Sequence, residues 1–242
     1  MTAIWDEPNA PYFYLKMRPF LNELDFIVAV RGSCLTPFDE TTLSQKFGIR
    51  SILKLEEAGQ SAAYRAALSV AMESGYEGVI LIDSNGKDDP KYLPAFVKAL
   101  EEGKDLVQGC RFKSTGKHVN TPVLRIIAVR LIAPFILWLG CGYWYRDQCN
   151  GLKGLSRKFL LDPRVQPFRD IFKKYNLLVY LNYAVVKHQF KWIEIPASRV
   201  YPKGKIPTKL TSFRQYLLHL LDYFKTAMGL LNPMIETETS GI

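Results

Sequence analysis

Short apolar runs alternate with segments of helical periodicity over the first 110 residues of the chain. Compact runs rich in apolar and β-branched residues, which are typical of buried strands, occupy 25–30, 49–55, 78–82 and 105–110, with a shorter candidate at 2–5. Helical spacing of apolar residues covers 12–24, 39–47, 59–74 and 91–102. This alternation predicts βαβ units, and therefore an α/β fold with a mostly parallel central sheet flanked by helices.

Polar residues follow four of the predicted strands. In parallel sheets the ligand binds at the carboxyl ends of the strands, so the loops that begin there should share one face. These loops carry Arg31, Glu56, Asp83, Asn85 and Arg111. We therefore expect the binding site at this edge of the sheet.

The second half of the chain has a less regular pattern. Turn residues and short apolar pieces fill 147–157, helical spacing covers 170–187, and the run 192–200 is strand-like. The run 210–231 is helical and amphipathic, so we expect the chain to have C-terminal helices with one apolar face.

The most apolar segment of the chain is 122–145, which Arg125, Arg130 and Pro134 interrupt. Its uncharged run after Arg130 is shorter than the roughly 20 residues that a spanning helix needs. Two interpretations stay open. The segment is either an amphipathic helix in a membrane interface, with its arginines near lipid phosphates, or a buried core helix.

The balance of charge limits the choice of partner. The 242 residues carry a formal net charge of +9, which suits a phosphorylated ligand, nucleic acid or an anionic bilayer. No nucleic-acid-binding motif accompanies the charge, so we do not expect nucleic acid as a partner. The four cysteines form no CxxC pair, which argues against a zinc site, and the N-terminus shows no secretory signal. We therefore expect a cytoplasmic protein.

The segment 83–90, of sequence DSNGKDDP, directly follows a predicted buried strand. Oxygen ligands at a strand end suit Mg²⁺ or Mn²⁺, so Asp83 and Asn85 are the candidate metal ligands. A metal there would neutralise charge on a departing diphosphate. The alternative is an Asp/Asn/Gly turn between strand and helix, with Pro90 opening the helix.

The block 78–112 resembles the central block of family 2 glycosyltransferases, especially the dolichyl- and polyprenyl-phosphate sugar transferases. In that block a strand is followed by Asp-x-Asp, a proline, a helix, a second strand and Gly-x-Arg. The corresponding residues here are 83–85 (DSN), Pro90 and 109–111 (GCR).

Three further segments extend this resemblance over nearly the whole chain. The run 59–67 (GQSAAYRAA) is similar to a family element beside the nucleotide, and 147–153 (DQCNGLK) is similar to an element on the acceptor side. Arg199, Gly204, Lys205 and Lys209 resemble a late basic segment of the lipid-phosphate branch.

The resemblance implies a Rossmann-like GT-A fold over 1–205, with a nucleotide-sugar-binding half at 1–112 and an acceptor half at 113–205. Residues 206–242 would form an amphipathic helix and tail. It implies contacts to the nucleotide sugar from Asp6, Glu7, Arg31, Gly59, Asp83 and Arg111. Asp147 would be the catalytic carboxylate, and the acceptor phosphate would meet Arg199, Lys205 and Lys209.

Two departures from the family pattern affect the donor site. The acidic pair that usually follows the second strand is replaced by Val30-Arg31, so Arg31 is expected to meet a phosphate or an acidic sugar instead. Asn85 stands in the place of an aspartate and removes one formal charge from the predicted metal site, which should lower its metal affinity.

The expected function is the metal-dependent transfer of a sugar from a nucleotide-diphosphate sugar to a polyprenyl phosphate, in peripheral contact with the inner face of the membrane. Two alternatives remain: the acceptor is a hydroxyl of a glycan or small molecule, or the chain is a catalytically degenerate nucleotide- or lipid-binding protein. A hydroxyl acceptor would need Asp147 as a general base, whereas a lipid phosphate is already ionised and would not.

Overall fold

The computed structural model describes residues 2–4, 10–31, 45, 49–56, 59–201 and 213–234. Within these residues, seven strands form one sheet in the order β3-β2-β1-β4-β7-β5-β8. The strands are β1 (Thr2–Ile4), β2 (Phe26–Arg31), β3 (Ile49–Leu55), β4 (Gly78–Asp83), β5 (Leu106–Cys110), β7 (Lys153–Ser156) and β8 (Trp192–Pro196). A separate parallel pair joins β6 (Lys117–Val119) to β9 (Ser198–Val200).

Helices cover both faces of this sheet. In chain order they are α1 (Ala10–Met17), α2 (Gln60–Glu73), α3 (Leu93–Glu101), α4 (Val123–Cys141), α5 (Arg157–Leu161), α6 (Asn176–Lys187) and α7 (Phe213–Ala227). Short 3₁₀ turns follow α1 at Arg18–Phe20, where Pro19 stands, and precede α3 at Pro90–Tyr92.

The predicted α/β fold with a mostly parallel sheet is confirmed. Strands β1 to β4 are parallel to one another, and β5 is parallel to β8. The exception is β7, which lies antiparallel between β4 and β5 and was not predicted as a strand. Its four residues include a glycine and show no alternation that would separate them from a turn. The helix expected at 39–47 lies outside the described residues except for Gln45.

Two hydrophobic clusters hold the layers together. Successive residues of a strand point to opposite faces of the sheet, so Val28 belongs to one cluster and Ala29 to the other. One cluster packs under α2 and α6 and contains the fully buried Tyr64 and Tyr180. The other packs under α1 and α3 around Phe13 and Phe96. The sheet edge at the ends of β4 and β5 is therefore held from both sides.

Helix α4 forms most of the apolar segment for which the sequence left two interpretations open. It is the one helix of the described chain that is long and apolar enough to cross a membrane, and 28% of its most apolar window is buried. Large side chains on one side are exposed, including Leu124, Leu131, Phe135 and Trp138. The helix packs closely on α7, where a Cβ on Gly140 would stand 2.5 Å from the Ala227 Cα. The helix is therefore only partly a core element.

Candidate active site

The end of β4 places Asp83 against the start of α2. The Asp83 Oδ1 atom accepts hydrogen bonds from the Gln60 Nε2 atom at 2.9 Å and from the Tyr64 hydroxyl at 2.9 Å. Both donors lie in the first turns of α2, which begins after Gly59. Gly59 has φ +147°, and a Cβ there would overlap the Lys173 carbonyl oxygen. Only glycine fits this close approach of two backbones.

The second oxygen of Asp83 faces Arg199. The Arg199 Nη2 atom donates to Asp83 Oδ2 at 3.0 Å, and the Asn85 Nδ2 atom donates to the same oxygen at 3.2 Å. Burial acts to raise the pKa of Asp83, but the charge of Arg199 and its hydrogen bond outweigh burial and lower that pKa below its usual value. Asp83 is therefore an ionised carboxylate with four donors around it.

Arg199 also binds a second carboxylate, that of Asp88. The Arg199 Nη1 atom lies 2.9 Å and 2.7 Å from the two carboxylate oxygens of Asp88, whose side chain is fully buried. Burial raises the pKa of Asp88 to about 6, against the lowering influence of Arg199. The guanidinium thus bridges the end of β4 and the loop that follows it.

Lys87 completes this group of charges. Its side chain is buried, and its Nζ atom lies 5.5 Å from the centre of the Tyr201 ring. Its charge also contributes to the lowered pKa of Asp83. The Lys87 backbone N–H donates to the Asn85 Oδ1 atom at 3.1 Å, so the amide of Asn85 closes a turn.

The end of β5 places Arg111 on Asp147 in a buried ion pair. The Arg111 Nε atom and backbone N–H donate to Asp147 Oδ2, both at 2.8 Å, and the Nη2 atom donates to Oδ1 at 2.7 Å. The exposed fraction of the side chain is 2% for Arg111 and 0% for Asp147. The geometry therefore engages both oxygens of the carboxylate that the sequence offered as a catalytic base.

A buried polar network lies behind this pair, around Lys153 of β7. The Lys153 Nζ atom donates to the side-chain oxygens of Gln108 and Asn182, and burial lowers the pKa of Lys153 to about 7. Glu194 of β8 accepts hydrogen bonds from the backbone N–H groups of Arg146 and Asp147. These contacts fix the loop that carries Asp147.

Two arginines of α4 reach the rim of the site. The Arg125 guanidinium lies 5.4 Å from the centre of the Tyr201 ring, and that of Arg130 lies 5.0 Å from the Phe112 ring. Burial raises the pKa of Tyr201, but Arg199, Arg111 and Arg125 together bring it below its ordinary value. The apolar helix and the cationic site are therefore adjacent.

The structure brings together Asp83, Asn85, Arg111, Asp147 and Arg199 from the residues proposed on sequence, with Gly59 at the start of the neighbouring helix. Arg31 ends β2, and its side chain is not described. Asp6, Glu7, Lys205 and Lys209 lie outside the described residues. Sequence reasoning missed the roles of Gln60, Tyr64, Lys87, Asp88 and Tyr201 in this site. Two features of the sequence could have indicated these roles. Gln60 and Tyr64 belong to the motif that begins at Gly59, and Lys87 and Asp88 belong to the 83–90 loop.

The metal prediction is tested by the side chains around Asp83. No group of three histidine, cysteine or acidic side chains suited to a metal occurs in the part of the chain that the structure describes. Both oxygens of Asp83 accept from hydrogen-bond donors, and the Asn85 oxygen accepts from a backbone N–H. A divalent cation requires free oxygen atoms as ligands, and the oxygens of Asp83 and Asn85 already accept hydrogen bonds. As arranged, these residues therefore do not fit a divalent cation.

The comparisons with known proteins give a consistent picture. No protein-family model matches the chain. Polyprenol monophosphomannose synthase of Mycolicibacterium smegmatis is 23% identical over 158 residues, which cover 65% of this chain and 58% of that protein. Dolichol-phosphate mannosyltransferase of Pyrococcus furiosus is 21% identical over 192 residues, which cover 76% of this chain and 50% of that protein. The chain thus spans about half the length of these curated relatives.

A solved structure shares the fold. Glucosyl-3-phosphoglycerate synthase from Mycobacterium tuberculosis, in complex with Mn²⁺, uridine diphosphate and glucosyl-3-phosphoglycerate, superposes with a TM-score of 0.60 at 16% identity. The match covers 95% of this chain and 77% of the synthase. The chain is similar in sequence to polyprenyl-phosphate mannosyltransferases, and its fold is the GT-A fold of nucleotide-sugar-dependent glycosyltransferases.

Proposed function

We propose that the chain transfers a sugar from a nucleotide-diphosphate sugar to a polyprenyl phosphate. The observation that carries the proposal is a cationic site at the carboxyl edge of the sheet beside an exposed apolar helix, α4. The similarity to polyprenyl-phosphate mannosyltransferases supports the same interpretation. A donor with two phosphates and an acceptor with a phosphate and a lipid tail both match this combination of charge and apolar surface.

The donor is proposed to lie along the ends of β4 and β5. Its nucleotide would lie near Gly59 and Asp83, with Asp6, Glu7 and Arg31 as the further predicted contacts. Arg111 and Arg199 lie on this edge, and guanidinium groups suit phosphate oxygens because their N–H donors form paired hydrogen bonds. These cations would stabilise the negative charge that develops on the departing diphosphate.

The acceptor is proposed to be a phosphate because the site offers no unengaged carboxylate at Asp147. A hydroxyl acceptor needs a general base, but the Asp147 oxygens lie 2.7–2.8 Å from donors of Arg111. A lipid phosphate needs no base. One of its ionised oxygens attacks the anomeric carbon, and the bond from that carbon to the diphosphate oxygen breaks with its electron pair. Asp147 then acts by positioning Arg111, and Lys205 and Lys209 are the predicted acceptor contacts. Arg199, which the sequence also assigned to the acceptor, is proposed instead to contact the donor's diphosphate, because it lies against Asp83.

Membrane contact is proposed through α4 and α7. Leu124 of α4 is 81% exposed, and Leu217, Leu221 and Phe224 of α7 are exposed as well. Apolar patches of this kind mark interaction surfaces, and arginines next to them suit lipid headgroups. The proposed location is the cytoplasmic surface of the membrane, with α4 lying in the interface.

Mg²⁺ or Mn²⁺ remains the sequence-based prediction for the donor's diphosphate. The Mn²⁺ complex of the synthase that shares the fold supports it, but the side chains around Asp83 oppose it. Accordingly, no step of the proposed transfer is assigned to a metal.

The proposal is tested with purified protein, vesicles that contain undecaprenyl or dolichyl phosphate, and a panel of radiolabelled nucleotide sugars. We expect one donor to give a lipid-linked sugar that partitions into the organic phase. A parallel reaction with a hydroxyl acceptor, such as an alkyl glycoside, should give no product. If only the hydroxyl acceptor gives product, the proposed phosphate acceptor is wrong. If a nucleotide binds but no sugar is transferred to either acceptor, the chain is a nucleotide-binding protein and not a transferase.

A further inference from the structure

In the group formed by Asp83, Asp88, Lys87 and Arg199, two cationic side chains lie beside the carboxylate that was predicted to bind a metal. We propose that Arg199 and Lys87 supply the charge that a divalent cation supplies elsewhere, so that nucleotide-sugar binding here is independent of Mg²⁺ and Mn²⁺. This inference rests on the proposed donor site and concerns its electrostatics.

The first support is the engagement of the carboxylates. Arg199 makes three hydrogen bonds to them, two to Asp88 and one to Asp83, at 2.7–3.0 Å. Gln60 and Tyr64 occupy the other oxygen of Asp83. A metal at Asp83 would have to displace a buried guanidinium, which would then lose a counter-charge in a low-dielectric environment.

The second support is the balance of charge. Asp83 and Asp88 contribute two negative charges, and Arg199 and Lys87 contribute two positive charges, in a pocket where the exposed side-chain fraction is 14% for Asp83 and 11% for Arg199. The group is therefore neutral before any ligand binds. A divalent cation that binds without the donor would add an excess of two positive charges, which a low-dielectric site disfavours.

The third support is the orientation of Asn85. Its amide nitrogen points at Asp83 and its oxygen accepts the Lys87 backbone N–H. Magnesium demands oxygen ligands in nearly octahedral geometry, so an amide that presents its nitrogen to the neighbouring carboxylate does not form a ligand pair with it. Lys87 follows two residues later and places a cation beside the same carboxylate.

The guanidinium of Arg199 is well suited to bind a diphosphate. An arginine has five N–H donors, and the bonds described here to Asp83 and Asp88 number three. The two carboxylates hold the guanidinium in place before the donor arrives. A diphosphate would therefore meet a cation whose side-chain conformation is already fixed, which lowers the entropic cost of binding.

The first experiment measures binding of GDP and UDP to the wild-type chain by calorimetry, once with EDTA and once with Mn²⁺. We expect the nucleotide that binds to do so with the same affinity, within about twofold, under both conditions. An affinity that rises tenfold or more with Mn²⁺ overturns the inference and leaves the proposed transferase intact. If neither nucleotide binds and no donor is used under either condition, the proposed function fails and the inference fails with it.

The second experiment uses Mn²⁺ alone and needs no substrate. Thermal unfolding of the wild-type chain should not respond to Mn²⁺, whereas Arg199→Gln should be stabilised by it. Removal of the guanidinium frees both oxygens of Asp88 from Arg199 and leaves Asp83 Oδ2 with the Asn85 donor alone. The matched control is Arg164→Gln, which removes the partner of Asp162 at an ion pair away from the site and should not respond to Mn²⁺. A wild-type chain that Mn²⁺ stabilises by several degrees contradicts the inference, even if Arg199→Gln does not fold.

Discussion

The buried pair of Arg111 and Asp147 allows a prediction that separates a structural carboxylate from a catalytic base. We predict that Asp147→Asn destabilises the fold. Three donors of Arg111 point at the two Asp147 oxygens, two at Oδ2 and one at Oδ1. An asparagine satisfies most of them when its oxygen takes the Oδ2 position. Its amide nitrogen then faces the Arg111 Nη2 donor, and the arginine loses its buried counter-charge.

The size of the effect follows from this geometry. Breaking a buried ion pair by removing one partner costs about 3–5 kcal/mol. Because asparagine keeps one acceptor oxygen, we expect a loss of stability at the lower end of this range, about 3 kcal/mol. In a chain of this length each kcal/mol moves the unfolding midpoint by about 2–4 °C, so the midpoint should fall by about 6–12 °C.

Differential scanning calorimetry of the purified variant checks the prediction. Asp162→Asn is the control, because the pair of Asp162 and Arg164 is partly exposed and such pairs contribute about 0–1 kcal/mol. The reasoning is refuted if Asp147→Asn unfolds at the wild-type midpoint while turnover falls by about 10²–10⁴-fold, as loss of a general base would cause. That result would also favour a hydroxyl acceptor over a lipid phosphate.

Three further predictions concern the apolar helix, the buried lysine and the helix crossing. Leu124→Glu with Leu131→Glu should lower partition into anionic vesicles by about tenfold or more in a sedimentation assay, whereas Leu161→Glu, also exposed but on another helix, should not. Burial lowers the pKa of Lys153 from 10.5 to about 7 in the folded chain. Between these two pH values the unfolded chain binds more protons than the folded chain, so the free energy of unfolding rises with pH. Urea unfolding between pH 7 and 10.5 should show a rise of at most about 1.4 kcal/mol per pH unit from this group, and Lys153→Met should remove it. Gly140→Val should lower the thermal midpoint, because its Cβ would stand 2.5 Å from the facing helix.

Much of the fold could be predicted from periodicity. The strands β2 to β5 and the helices α2 and α3 lie where the apolar spacing placed them, because each buries a regular face against the sheet. Strand β7 could not be predicted in the same way. Its pairing with β4 and β5 depends on partners about 45–80 residues earlier in the chain, and its Gly154 lacks a side chain to carry a pattern.

The sequence predicted where the candidate site lies, but not which charged side chains pair within it. The rule that loops at strand ends share one face correctly brings Asp83 and Arg111 to the same edge. Arg199 was assigned to an acceptor phosphate because its segment resembles a late basic segment of the lipid-phosphate branch. Its bonds to Asp83 and Asp88, which precede it by more than 110 residues, were not predicted. Composition near a residue does not reveal such a partner, since the contact is created by the crossing of β9 over the β4 loop. The isolated bridge between Asp88 and Arg199 fixes that crossing.

The two arginines of α4 would connect the proposed membrane surface with the site. Charged side chains are costly within an apolar helix, and in the structure Arg125 and Arg130 lie over the Tyr201 and Phe112 rings at the rim of the site. If α4 lies in the interface, these guanidinium groups stand at the depth of lipid phosphates, where an arginine is favoured. A polyprenyl phosphate is a lipid whose reacting group lies at that same depth. The helix would therefore hold the protein on the bilayer at the height at which the acceptor phosphate reaches the rim of the site, without drawing the lipid out of the membrane.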